Sequence, residues 1–131
     1  MFLDSNIFLN AYLSPAPNGK ACFNLLKKIN SGEQNATTSP LVLDEVLYIA
    51  LGKKDHEFAQ YVWNNMHNIK NLTFLPIDMK VTAHVMHYVK SGLQPRDAFH
   101  AATMKANGIS IICSYDKSFD GIKGIKRQTP K

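Results

Sequence analysis

Apolar residues follow two patterns along this chain: short continuous runs, and longer segments in which they recur every three or four positions. The first pattern is typical of strands and the second of amphipathic helices. Strands are predicted at residues 1–3, 35–38, 72–75, 109–113 and, from a weaker pattern, 125–127. The run at 109–113 is nearly continuous, as expected for a strand that is buried on both faces. Strands that alternate with helices predict an α/β sandwich around a short parallel sheet.

Start and stop residues define the predicted helices. Two prolines among residues 14–19 end the first helix. Pro40 begins the third helix and Gly52 is expected to stop it, while Asp55 and Asp78 are placed to cap two later helices. The predicted helices cover residues 6–13, 21–30, 40–51, the segment from the cap at 55 to 66, the segment from the cap at 78 to the Ser-Gly stop at 91–92, and residues 95–107.

The composition of the chain bears on its number of domains, on membrane insertion and on the state of its cysteines. With 131 residues and 45% apolar content, we predict a single domain over residues 1–131 with a substantial core. No stretch approaches the roughly 18 apolar residues that span a membrane, and the start lacks the basic and apolar regions of a secretory signal. Cys22 and Cys113 have no metal-ligand spacing. They are predicted to be reduced thiols of a cytoplasmic protein.

Four carboxylates stand out against the apolar pattern. Asp4 and Asp116 lie just beyond two predicted strands, at the carboxyl ends where parallel sheets bind ligands. Glu45 and Asp97 lie within apolar helical segments, where an unpaired carboxylate is costly. If the fold brings the four together, their repulsion requires a counterion, and a hard divalent cation has the matching preference for oxygen. The pattern therefore predicts a metal site.

Each acid also has a structural alternative. Asp4 is placed to cap the first helix, and Asp97, third in its helix, suits the positive end of the helix dipole. Glu45 can belong to a buried ion pair. The adjacent Asp44 is about 100° further round the helix, so both cannot face one site, and the pattern only modestly favours Glu45. Asp120 precedes a glycine and is typical of a turn.

The chain is basic. Fifteen Lys and Arg residues outnumber ten Asp and Glu residues, which gives a net charge of +5. With the four acids set aside, the excess is +9 (15 against 6). A basic exterior around an acidic pocket suits a polyanion such as nucleic acid, although an ordinary solvated basic surface gives the same charge.

Four segments together resemble the PIN-domain ribonucleases, and among them the small VapC-like toxins of toxin–antitoxin pairs. In chain order they are FLDSNIF at 2–8, LDEVL at 43–47, PRDAFHAA at 95–102 and CSYDKSFD at 113–120. The resemblance covers essentially the whole chain. It implies a PIN-like three-layer α/β/α sandwich with a short parallel sheet of about five strands.

The resemblance also implies an activity. It is the hydrolysis of single-stranded RNA, with Mg²⁺ or Mn²⁺ as cofactor and with 5′-phosphate and 3′-hydroxyl products. The implied acidic quartet is Asp4, Glu45, Asp97 and Asp116, of which Asp4, Asp97 and Asp116 are the metal ligands. The implied pocket and substrate residues are Ser5, Asn6, Ser114 and Asp120, with Arg96 and Lys117 added as candidates to steer phosphates or to pair with the quartet. A VapC-like toxin is further expected to bind a small antitoxin whose tail covers the acidic pocket, and to form a homodimer.

Other functions remain open at this point. A phosphatase with an aspartyl nucleophile also begins with an apolar strand ending in Asp, but it usually has a second Asp two residues later, where this chain has Asn6. A PIN-domain RNA-processing nuclease outside a toxin–antitoxin pair, or a catalytically silent RNA- or protein-binding module, would share the fold. His84 and His87 have no third metal ligand nearby in sequence, whereas His100 is a candidate for substrate contact.

Overall fold

A computed structural model describes residues 1–53 and 55–131. Within them, five strands form one sheet in the order β3-β2-β1-β4-β5, with every neighbouring pair parallel. The strands are β1 Phe2–Leu3, β2 Ala36–Thr38, β3 Leu72–Phe74, β4 Ile111–Cys113 and β5 Lys126–Gln128. The predicted α/β fold with a short parallel sheet is confirmed, including the weakly patterned last strand.

Six α-helices connect the strands in the described residues. They are α1 Ser5–Leu13, α2 Pro17–Ser31, α3 Pro40–Lys53, α4 His56–Asn68, α5 Met79–Lys90 and α6 Pro95–Ala106. A single 3₁₀ turn, Lys117–Phe119, lies between β4 and β5. The Asp55 and Asp78 side chains accept hydrogen bonds from backbone N–H groups in the first turns of α4 and α5, so both predicted caps are confirmed.

Two predicted helix boundaries are wrong. Helix α2 begins at Pro17 rather than at residue 21, because proline is well suited to the first helical position, where no N–H is needed. A side chain at Gly19 would collide with the Ser14 carbonyl oxygen at the end of α1, so glycine permits the close approach of these two helices. Helix α3 continues through Gly52 to Lys53, since a glycine in a final turn costs only about 1 kcal/mol.

The sheet is covered on both faces. Phe2 and Leu3 are consecutive residues of the central strand, so their side chains point to opposite faces, and both are fully buried. Helix α1 packs against α2 and α3, and α5 packs against α6. Three buried alanines, Ala98, Ala101 and Ala102, allow α6 to pack closely. None of the helices in residues 1–53 and 55–131 has the length and apolar character needed to cross a membrane.

Candidate active site

Two neighbouring strands end side by side at the carboxyl edge of the sheet. Leu3 at the end of β1 is in register with Cys113 at the end of β4, and the backbone N–H of Asp4 donates to the Cys113 carbonyl at 3.1 Å. Asp4 and Ser114 therefore emerge next to each other, and the Ser114 hydroxyl donates to Asp4 Oδ2 at 2.6 Å. The candidate site is built around this point.

Asp4 is only 4% exposed, and both of its carboxylate oxygens accept hydrogen bonds. Oδ1 accepts from the Ser5 N–H at 2.8 Å, which makes Asp4 the cap of α1. Oδ2 accepts from Asn6 Nδ2 at 3.0 Å in addition to Ser114. Burial raises the pKa of Asp4, outweighing the charge of His100 and the hydrogen bonds, which lower it. Asp4 therefore caps a helix and also belongs to the acidic cluster.

Asn6 and Ser114 connect Asp4 to the loop after β4. Asn6 Nδ2 also donates to Ser114 Oγ at 3.0 Å, and Asn6 Oδ1 accepts from the Tyr115 N–H at 3.2 Å. Ser114 Oγ in turn accepts from the Asp116 N–H at 2.9 Å. These bonds set the position of Asp116 relative to Asp4. Two of the predicted pocket residues thus hold the acids in place.

The structure distinguishes the two adjacent acids of α3. Glu45 is partly buried, with Oε1 2.7 Å from His100 Nε2 and Oε2 accepting a weak bond from Ser5 Oγ at 3.4 Å. Asp44 is exposed and lies 3.9 Å from Arg96 in an exposed ion pair. Glu45 is therefore the α3 acid that faces Asp4, and Arg96 contacts Asp44 rather than the quartet.

Asp97 and Asp116 complete the cluster. Asp97 lies in the first turn of α6 and accepts from Ser118 Oγ at 3.4 Å, while Asp116 accepts from the Ser118 N–H at 2.9 Å. The pKa of Asp97 is raised to about 6, first by burial and then by the negative charges of the other three acids, against the opposing effect of His100. Asp97 is therefore close enough to the other three predicted acids for their charges to affect its ionisation.

The cluster has the donors that a hard divalent cation prefers, which are carboxylate oxygens with excess negative charge. As its side chains stand, however, no group of three or more His, Cys, Asp or Glu residues within 1–53 and 55–131 converges closely enough to hold a metal ion. Mg²⁺ keeps several waters and is bound through only one or two carboxylates. The donor set therefore fits a hydrated cation that binds at an open site.

His100 is a member of the site whose role the sequence did not reveal. It is fully buried, so it cannot meet a substrate as the sequence suggested. Its Nε2 atom lies 2.7 Å from Glu45 Oε1 and 3.7 Å from Asp4 Oδ1. Burial lowers the pKa of His100, but the hydrogen bond to Glu45 and the nearby negative charges outweigh it and raise the pKa. The spacing of three residues from Asp97 on one helix was the available signal.

Asp120 has a cationic partner within the chain. Arg127 of β5 donates from Nε to Asp120 Oδ1 at 2.8 Å and from a terminal nitrogen to Oδ2 at 2.9 Å. Its other terminal nitrogen donates to the Ser114 carbonyl at 3.1 Å. The hydrogen bonds from Arg127 lower the pKa of Asp120. Arg127, which no sequence pattern singled out, thus braces both ends of the loop that carries Asp116, while Lys117 is exposed on the same loop.

Replacing Arg127 is expected to loosen this loop. In Arg127→Ala, the backbone amides of residues 114–120 should exchange hydrogen for deuterium about tenfold faster, because local opening no longer breaks three hydrogen bonds. Arg127→Lys should give only partial protection, since an ammonium cannot reproduce the two-pronged contact. Lys126→Ala, on the exposed neighbouring residue, is the control. Equal exchange rates in Arg127→Ala and the wild type would contradict the bracing role.

The parallel sheet, with four acids near its carboxyl edge, is the arrangement that the resemblance to PIN-domain proteins predicted. A family model described as PIN domain matches residues 1–125, and the chain belongs to the PIN-domain family. The resemblance predicted from the sequence is thereby confirmed.

Particular relatives share nearly the full length of the chain. VapC ribonuclease Mb1869c of Mycobacterium bovis and ribonuclease VapC13 of Mycobacterium tuberculosis are each 28% identical to it over 131 residues, covering 97% of this chain and 98% of the relative. Among solved structures, VapBC2 of Rickettsia felis, bound to a DNA fragment from the promoter, has a TM-score of 0.76 at 18% identity and covers 99% of this chain and 98% of its own.

VapC20 of Mycobacterium tuberculosis, described as a toxin that cleaves the sarcin-ricin loop, has a TM-score of 0.74 at 13% identity, with 93% of this chain and 94% of that chain covered. These structural likenesses confirm the predicted PIN-like fold.

Proposed function

We propose that this protein is an endoribonuclease that uses Mg²⁺ or Mn²⁺ to hydrolyse phosphodiester bonds in RNA. The observation that carries the proposal is the gathering of four acids beyond the carboxyl edge of the sheet. Ser114 joins Asp4 to the loop of Asp116, and Ser118 joins Asp116 to Asp97. Ser5, next to Asp4, contacts Glu45. Such a cluster favours a cation over a neutral ligand. The two relatives of nearly equal length, both named as ribonucleases, support the same activity.

Each part of the site has a distinct task in this reaction. Asp4, Asp97 and Asp116 would hold the cation, directly or through its bound waters. When bound, the cation would neutralise charge on the phosphate and make a bound water more acidic. Ser114 and Asn6 fix the direction of the Asp4 carboxylate. His100 contacts Oε1 of Glu45 at 2.7 Å, whereas Oε2 accepts a weak bond from Ser5 at 3.4 Å. Oε2 can therefore orient the attacking water and accept its proton.

Basic side chains at the rim bring RNA to the site. Lys117, next to Asp116 and exposed, is placed to attract a phosphate. Arg96 is paired with Asp44, but an exposed ion pair at 3.9 Å contributes less than about 1 kcal/mol. The Arg96 guanidinium can therefore turn from Asp44 to a phosphate at little cost. The excess of +9 outside the quartet favours a polyanionic substrate.

Removal of the cation tests the proposal. Purified protein is incubated with single-stranded RNA in Mg²⁺, in Mn²⁺ and in a chelator, and the ends of the fragments are identified. Cleavage is expected in both metals, with 5′-phosphate and 3′-hydroxyl ends, and is expected to fall to background in the chelator because the acids then repel the phosphate. Cleavage that continues in chelator, or no cleavage of any RNA in either metal, would refute the proposal.

We further propose that the protein is the toxin of a VapBC-type pair and binds a small antitoxin. Support comes from structural neighbours that are toxin–antitoxin complexes, including one from Klebsiella pneumoniae with a TM-score of 0.68. A homodimer is proposed as well, with the exposed aromatic Tyr61 of α4 as part of a candidate contact surface. A short neighbouring reading frame with a DNA-binding N-terminus would favour this role. Its absence would favour an RNA-processing nuclease.

A further inference from the structure

One nitrogen of His100 lies between two acids from different parts of the chain. Its Nε2 is 2.7 Å from Glu45 on α3 and 3.7 Å from Asp4 after β1. The ring is fully buried, and its centroid is 5.5 Å from that of the Phe2 ring on the central strand. The other nitrogen, Nδ1, has no hydrogen-bond partner among the described residues. All the polar contacts of this ring therefore lie on the side of the acidic cluster.

The direction of the hydrogen bond follows from these contacts. A carboxylate only accepts hydrogen bonds, so Nε2 must carry the proton that faces Glu45 Oε1. This holds for the neutral ring and for the charged ring alike. Burial of an imidazole with one partnerless nitrogen costs free energy, and the single strong bond at 2.7 Å offsets part of that cost. His100 is thus fixed as a donor to Glu45.

The same bond joins two helices that otherwise pack against different neighbours. Helix α3, which carries Glu45, packs mainly against α1 and α4, and helix α6, which carries His100, packs mainly against α5. Glutamate has three rotatable side-chain bonds, and Glu45 has only one other hydrogen bond among the described residues, the weak one at 3.4 Å from Ser5. Without His100, little would hold the Glu45 carboxylate beside Asp4.

We propose that His100 is a positioning residue that acts through Glu45: by holding Oε1, it keeps Oε2 of Glu45 directed at the centre of the acidic cluster. His100 does not contact RNA, because its side chain is inaccessible. The proposal rests on the proposed nuclease function, in which Oε2 receives the proton of the attacking water. According to this proposal, loss of His100 lowers kcat because the geometry of the site is disturbed.

A set of variants tests this role. His100→Leu removes the donor, and His100→Gln retains an amide donor at a similar distance from the backbone. His87→Leu, on an exposed histidine of α5, is the matched control. His100→Leu is expected to lower kcat about 10- to 100-fold, as for other residues that orient a site's ligands, with KM for RNA changed less than about threefold. His100→Gln should recover part of kcat, and His87→Leu should match the wild type.

A double-mutant cycle with Glu45→Gln separates positioning from general packing. If His100 acts through Glu45, His100→Leu should lower kcat no further in the Glu45→Gln background. The free energy of unfolding, measured in a chelator, supplies a second cycle. Both substitutions weaken the 2.7 Å bond, so the cost of the double variant should be smaller than the sum of the two single costs. Unfolding curves for all the proteins report any general loss of stability, and His100→Gln keeps the cycle usable if His100→Leu does not fold.

Three outcomes would overturn the inference: a loss of kcat that is additive with Glu45→Gln, a rise in KM rather than a fall in kcat, or a loss in His100→Gln as large as in His100→Leu. A wild type that cleaves no RNA would refute the nuclease proposal alone. The inference about His100 would then be decided by the cycle on the free energy of unfolding, where additive effects refute it and non-additive effects support it.

Discussion

Asp4→Asn is expected to lower the rate of RNA cleavage about 100-fold or more, whereas Asp44→Asn should leave it within about twofold of the wild type. The two substitutions make the same chemical change, an oxygen to an amide nitrogen. Asp4 is 4% exposed and lies at the centre of the cluster, while Asp44 is exposed and faces Arg96. The comparison therefore measures position and not overall charge.

The hydrogen bonds around Asp4 explain the size of the expected effect. Oδ1 accepts from the Ser5 N–H, and Oδ2 accepts from Ser114 and Asn6. An asparagine amide nitrogen carries two hydrogens, so in either orientation it places a donor against at least one existing donor. The side chain would have to turn away from its present direction. The site thus loses a negative charge, and the hydrogen bonds from Ser5, Asn6 and Ser114 no longer orient the side chain.

Initial rates at saturating Mn²⁺ check this prediction, with circular dichroism to show that both variants are folded. Equal rates for Asp4→Asn and the wild type would show that the cluster is not where RNA is cleaved. A comparable loss in Asp44→Asn would instead identify the exposed acid of α3 as the functional one, against the placement of Glu45.

Asp97→Asn is expected to make the metal-free protein more stable near neutral pH. The pKa of Asp97 is raised to about 6 by burial and by three neighbouring acids, so the folded protein binds this proton more tightly than the unfolded chain does. Stability then falls as pH rises from about 4 through about 6. A rise of the Asp97 pKa to about 6 corresponds to about 3 kcal/mol, and solvent screening of this partly exposed group reduces the expected gain to about 1 kcal/mol.

Urea unfolding in the presence of a chelator, at pH 4.5 and at pH 7.5, measures this gain. The free energy of unfolding of Asp97→Asn should exceed that of the wild type at pH 7.5, and the difference should shrink at pH 4.5, where Asp97 is mostly protonated. Saturating Mg²⁺ should also shrink it, because the cation stabilises the wild type. Asp44→Asn is the control. A gain that is the same at both pH values would show that it does not come from the ionisation of Asp97.

Much of the fold was predictable because its determinants are local. Short apolar runs indicated the strands, and Asp55 and Asp78 were recognisable as helix caps. The start of α2 was missed because the need for Gly19 arises from contact with the end of α1, which sequence does not display. The end of α3 was missed because Gly52 in a last turn costs too little to stop a helix.

The acids of the candidate site could be predicted from the sequence, but the residues that hold them in place could not. The position of Asp4 and Asp116 after strands follows from a general rule for parallel sheets. The choice between Asp44 and Glu45 depends on how α3 is rotated about its axis. The hydrogen bond that His100 donates to Glu45 joins residues 55 positions apart. Arg127 reaches the loop that carries Asp116 only because β5 lies beside β4 in the sheet. These contacts depend on the arrangement of whole elements.

Asp4 both caps α1 and belongs to the acidic cluster, which has a consequence for how the proposed activity would be lost by mutation. Substitution of Asp4 by a residue that cannot cap a helix removes the α1 cap, at about 1 kcal/mol, and leaves buried donors without partners, at about 1–3 kcal/mol each. Under the proposed toxin role, inactive variants at Asp4 are therefore expected to be degraded in the cell, whereas Asp97→Asn should accumulate as folded, inactive protein. Sequencing survivors of forced expression and blotting their protein levels would reveal this division; equal abundance of both groups would argue against it.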